Sequence, residues 1–178
     1  MRQTIRTATL GLATAAVLAS AVPGPASAEE TDAATTTHET GHVVECVATW
    51  AQRTAFVTLY DNDQYGNTLL VQLRTTGVDR MRVGQRSPDD DLVASDGAVA
   101  TGVLVGGHRA RVRGTAPERG KPVHVHEEYA DAGYDIVVDG THRRLDADLV
   151  LRFRDRRHPL DCSTAFTYDL DVTRTPAQ

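Results

Sequence analysis

Aromatic side chains make up only 5% of these 178 residues, with a single tryptophan, which is too few for the stacking platform that sugar-binding surfaces use. Serine nearly disappears after residue 28. Ser87, Ser95 and Ser163 are the ones left, and none sits in the Gly-x-Ser-x-Gly elbow that presents a hydrolase nucleophile. No glycine-rich phosphate loop is present. Two cysteines, Cys46 and Cys162, permit one intramolecular pairing and no ambiguity of connectivity. Beyond residue 28 no apolar run approaches the roughly 18 residues that a spanning helix needs. Amphipathic helical periodicity is missing as well.

The first 28 residues have the layout of an export signal. Arg2 and Arg6 precede an apolar run from Ala8 to Val22, Pro23 and Pro25 break it, and Ala26, Ser27 and Ala28 supply a small-residue cleavage site. Mature protein beginning near Glu29 is therefore expected outside the cell. Arg2 and Arg6 are not adjacent, so the general secretory route is favoured over twin-arginine export. No cysteine in this segment could take a lipid. Export permits a disulfide, and a bridge from Cys46 to Cys162 closes nearly the whole domain, tying the first strand to the last. A closed loop of about 100 residues is worth roughly 4.7 kcal/mol in the chain-entropy model.

Removing residues 1–28 takes two of the 19 basic residues and none of the 24 acidic ones, leaving 17 against 24, a net of −7. A chain this acidic is a poor candidate for general nucleic-acid binding, which needs a cationic face.

Residues 29–41 contain no large apolar side chain and are expected to form a flexible mature N-terminus. From there to residue 175 the pattern has period two, as in half-buried strands. Val44, Cys46, Ala48 and Trp50 open the series, followed by Ala55 to Leu59 and Thr68 to Leu73. Met81 to Leu92, with Gly84, Pro88 and Asp89 to Asp91, reads as the longest internal loop. Gly106-Gly107 and Asp139-Gly140 each read as a tight hairpin turn. Pro122 to Tyr129, Leu149 to Phe153 and Phe166 to Val172 complete the set. Eight or nine short strands imply an all-β, single-domain fold, either a β-sandwich or a β-barrel, held by one disulfide.

Four groups of residues offer chemistry. His124 and His126 flank Val125 in a strand, so both imidazoles project from one face, as two metal ligands do. Their spacing resembles the first histidine pair of cupin metal sites, while the rest of that pattern is missing; His108, His142 or His158 would have to supply a third ligand. Asp61 and Asp63, around Asn62, place oxygen atoms in a turn, as a calcium site does. An Asx turn that satisfies its own backbone uses the same residues. Asp146 and Asp148 share a face if their segment is extended, as a carboxylate pair for glycoside chemistry would. Arg152, Arg154, Arg156 and Arg157 form a basic strip suited to an anionic partner or to protecting a sheet edge.

The phrases from Leu59 to Asn67 and from Gly140 to Leu145, with the paired cysteines, resemble small secreted two-cysteine β proteins of actinobacteria. That resemblance implies an extracellular β fold and no activity. Taken together, the sequence favours a secreted, non-enzymatic binding or interaction module without a cofactor. An inhibitor of an extracellular hydrolase is one concrete version, and the partner is an extracellular protein or a small molecule. Two alternatives stand beside it: a metal-dependent secreted enzyme using His124 and His126, and an envelope-associated structural protein.

Overall fold

Alternating apolar and polar residues build eleven strands and no helix across residues 33–177, the part of the chain that the computed structural model describes. The expected export signal lies outside the described residues. Seven strands form one sheet. From edge to edge these are β4 (Arg82–Arg86), β3 (Thr68–Thr75), β2 (Arg53–Asn62), β1 (Thr35–Trp50), β11 (Asp161–Pro176), β8 (Tyr134–Arg144) and β7 (Val123–Asp131). The second sheet runs β10 (Arg156–Pro159), β9 (Asp148–Phe153), β6 (His108–Thr115) and β5 (Ala98–Val105). All pairings are antiparallel, and neither sheet closes on itself. The fold is therefore all-β in its sandwich form.

The small sheet covers only part of the large one. Val44, Leu59, Leu69 and Val71 on the inner face of β1 to β3 pack with Val112, Leu149 and Leu151 of the small sheet, all 1% exposed or less. Each such side chain contributes about 1.5–3 kcal/mol by leaving water. Beyond the small sheet, β7, β8 and the adjoining halves of β1 and β11 project as a flange. Its apolar cluster is small: Ile136, Val138 and Val172, with Leu170 against them.

Cys46 and Cys162 form the disulfide, 116 residues apart in sequence. Between Glu45 opposite Thr164 and Val47 opposite Asp161 the register shifts, so Cys162 and Ser163 of β11 face Cys46 of β1. This is a β-bulge, one extra residue on one strand. The first and last strands are thus neighbours joined covalently, as expected.

Four expectations change. The segment expected to be flexible through Gly41 is strand from Thr35 onward, because Thr35 to Glu45 pair without interruption with β11 and Glu39 becomes buried. The loop expected over Met81 to Leu92 contains β4, an edge strand that carries almost no apolar alternation because only Gly84 faces inward closely. A Cβ at Gly84 would lie 2.4 Å from the Leu104 carbonyl oxygen, so glycine lets the two sheets meet there.

Asp139-Gly140 is not a turn. β8 runs straight through it, and Gly140 at φ 155° leaves room where a Cβ would sit 2.2 Å from the Asp169 carbonyl. The real reversal is Ala132-Gly133, with φ of 50° and 84°, where alanine is an unusual first residue. Gly106-Gly107 is a turn, as expected, at φ of 56° and 79°. The count of strands rises to eleven through β4 and β10.

Candidate functional site

His124 and His126 share a face of β7, and the carboxylate of Asp139 on β8 lies between them. His126 Nδ1 is 3.0 Å from Asp139 Oδ2, and His124 Nε2 is 3.5 Å from Asp139 Oδ1. Glu128 reaches His126 Nε2 at 3.3 Å. Strand register extends this row across four strands. Asp139 lies opposite Asp171 of β11, and Asp171 lies opposite His38 of β1, with His38 Nδ1 2.9 Å from Asp171 Oδ1. Asp169 stands 3.5 Å from the other nitrogen of His38.

The two aspartates face each other as like charges, which alone weakens a sheet. The flanking histidines offset that repulsion when protonated. The hydrogen bond to Asp139 accordingly raises the pKa of His126 above 6.5, and the bond to Asp171 does the same for His38. Asp139 is lowered by the same bond from His126.

None of the other histidines expected as third ligands joins this row. His142 stacks on Phe166 at 4.4 Å on the opposite face, and burial lowers its pKa. His158 stacks on Trp50 at 3.9 Å beside the small sheet, and burial lowers it too. His108, beside the Gly106-Gly107 turn, meets Arg154 at 2.8 Å. Among the described residues no group of three histidine, cysteine, aspartate or glutamate side chains is arranged to hold a metal ion.

Asp61 and Asp63 are occupied by backbone amides. Asp61, almost wholly buried, accepts hydrogen bonds from the Leu92 and Val93 amides at 2.9 and 3.0 Å, pinning the segment that precedes β5. Asp63 accepts from the Thr40 amide at 2.8 Å, which lowers its pKa. Asn62 Oδ1 accepts from Gln64 and Tyr65 amides at 2.8 Å each, an Asx turn.

A polar network absent from the sequence reading crosses β1, β2 and β11. Asn62 Nδ2 donates to Glu39, Tyr60 and Tyr168, and the Tyr168 hydroxyl donates to the Asp61 carbonyl. Burial raises the Tyr168 pKa well above the phenolic range, so it stays a neutral donor. Arg174 closes the row 3.4 Å from Glu39. These hydrogen bonds hold the three strands together.

The outer face of the small sheet is the other feature the sequence did not display. Ala110 and Val112 face the core, so Arg109, Arg111 and Arg113 of β6 face outward. On β9, Leu149, Leu151 and Phe153 point inward and Arg152 points out. Register places Arg111 opposite Arg152 and Arg152 opposite Arg157 of β10, three guanidinium groups in one cross-strand row.

Two troughs flank the β6 arginines. One of about 390 Å³ is bounded by Arg111, Arg113, Asp148, Arg152 and Arg157, and one of about 650 Å³ runs along β5 toward Arg86. Gly102, opposite Arg111, puts no side chain on its floor. Arg154 falls at the β9–β10 turn and Arg156 lines the Trp50 side, so the strip expected at 152–157 divides between two faces. Asp146 pairs with Arg119 at 3.3 Å, outside the trough that Asp148 borders. The premise that an acidic chain lacks a cationic face fails here: the charge is segregated.

Comparisons with protein-family models, with curated proteins and with solved structures return no match. Among the described residues no helix is long and apolar enough to cross a membrane.

Proposed function

We propose that this protein is a secreted, non-enzymatic binding module whose small sheet engages an anionic chain, such as an acidic polysaccharide or a phosphate polymer. The observation that carries this reading is the row Arg111, Arg152 and Arg157 with Arg109 and Arg113 beside it. Like charges placed directly opposite one another weaken a sheet, so stability does not account for the row. Edge protection accounts for Arg157 alone, on the edge strand β10, because β6 and β9, which carry the other four arginines, are the interior strands of their sheet. Arg152 with Asp155 is the one ion pair formed by these five arginines among the described residues.

Guanidinium groups bind carboxylate, sulfate and phosphate through paired hydrogen bonds, and the troughs give such groups a place to lie. Among the described residues no aromatic side chain shares this face, so oxyanions are recognised and stacked bases are not. A disulfide-tied scaffold suits work outside the cell.

The test is titration of the purified protein with dextran sulfate and with inorganic polyphosphate over a range of salt. Affinity is expected to fall steeply with salt. Arg111→Gln and Arg152→Gln should each weaken binding and reduce the salt slope by about one. Absence of binding to both polymers at low salt would remove the proposal.

A further inference from the structure

We infer that β7 is the interface for a second copy of this chain, joining two large sheets edge to edge in an antiparallel, two-fold pairing centred on His126. Among the described residues β7 ends the seven-stranded sheet and has a neighbour on one side only, β8. The opposite end of that sheet is not comparable, since β4 has five residues and its Gly84 lies against Leu104 of β5. β7 has nine residues, eight of them exposed, including Val123 at 66% and Tyr129 at 50%.

An open strand edge of this length presents unpaired amides and carbonyls to any matching strand. Charges on such an edge ordinarily repel a second copy. Here their order does the reverse.

In a two-fold antiparallel pair, directly opposed residues share a face, so the centre must fall on a whole residue. Centred on His126, Lys121 meets Asp131 of the second copy, Val123 meets Tyr129, and His124 meets Glu128; each contact occurs twice. Val125 opposite Glu127 is unmatched, Pro122 opposite Ala130 has no amide to donate, and His126 meets its own copy on the axis. Moving the centre to Val125 sets Lys121 against Tyr129 and Val123 against Glu127. Moving it to Glu127 keeps two matched pairs, Val125 with Tyr129 and His126 with Glu128, but sets Val123 against Asp131, opposes Glu127 to its own copy and leaves Lys121 without a partner. The register centred on His126 carries three matched pairs where its rivals carry two or fewer, and its pairs are of the kinds that stabilise neighbouring strands. The symmetry axis stands perpendicular to the joined sheet, so both small sheets lie on the same side of it.

Lys121 is the only lysine in the chain, which makes the interface directly readable. Extended strand from Val123 to Asp131 spans about 26 Å and Lys121 lies two residues beyond it, so a zero-length amide between the Lys121 and Asp131 side chains must join two molecules. The experiment combines sedimentation of the purified protein over a concentration series with carbodiimide cross-linking and peptide mapping. A concentration-dependent dimer carrying the Lys121–Asp131 cross-link is expected.

Lys121→Asp should weaken the dimer about tenfold, because two symmetric contacts turn repulsive. Lys121→Asp combined with Asp131→Lys should restore it, with an unchanged melting temperature at concentrations too low for dimer as the control for folding. A protein that stays monomeric at every concentration, a dimer indifferent to the reversal, or a cross-link mapped elsewhere would each overturn the inference. None of these outcomes depends on whether the arginine face binds an anionic polymer.

Discussion

β1 and β11 run through both halves of the large sheet, so the same two strands meet two different environments. Under the small sheet they bury Val44, Cys46 and Ala48 in a core shared by both layers. In the flange they carry His38, Asp169 and Asp171 on one face and Val172 with Leu170 on the other. Hydrogen-bonded register is continuous from one half to the other up to the bulge. Backbone pairing therefore does not distinguish the halves; burial does. Stability in such a molecule is uneven, with local opening far easier where few apolar contacts hold a strand. The flange is the half free to present its edge.

The largest expected effect falls at the junction between the halves. Replacing both Cys46 and Cys162 with alanine releases a loop worth up to about 4.7 kcal/mol, and should lower the melting temperature of sandwich and flange together. Calorimetry would check this. A flange that melts alone, with the sandwich transition unmoved, would show that the bridge serves only one half.

The next effect separates the halves. Leu151→Ala, in a fully buried position, should cost about 2–5 kcal/mol of global stability. Val138→Ala in the flange cluster should cost about 1 kcal/mol. Hydrogen exchange would localise that second loss to the amides of β7 and β8. If Val138→Ala instead lowers protection in β2, β3 and β6, the two halves unfold as one and the distinction drawn from burial is wrong.

Legibility in the sequence divides along the same line. Ala55, Val57 and Leu59 alternate because one face of β2 is fully buried, and the sandwich core was readable from that alternation. The disulfide was readable because two cysteines leave one choice. Residues before Gly41 gave no such signal: His38 and Glu39 gain their roles from partners on other strands, Asp171 and Arg174 more than 130 residues away and Asn62 across β2. Asp139-Gly140 carried a turn signal that a long pairing partner, β11, overrides. Arg109, Arg111 and Arg113 alternate visibly, but their alignment with Arg152 and Arg157 is a property of register between strands. Net charge averaged that face against the carboxylates of the flange and hid both.

The smallest effect is the dependence of the flange on pH. His38 and His126 have pKa values raised above 6.5 by their aspartate partners, so their contribution is fully present below 6.5 and is lost as pH rises through the raised values. Asp139 and Asp63 are lowered from 3.8, so theirs is present above 3.8 and is lost as pH falls through the lowered values. The row is therefore strongest between 3.8 and 6.5. His142 acts in the opposite sense, since burial lowers its pKa and protonation below 6.5 favours opening. A single substitution isolates the row from it: in His126→Gln the extra loss of β7 and β8 protection on the alkaline side of 6.5 should shrink, while His142 still acts on the acid side. Exchange rates corrected for the intrinsic effect of pH would measure this, and wild type and His126→Gln losing protection in parallel above 6.5 would mean that the histidine-aspartate row does not hold the flange.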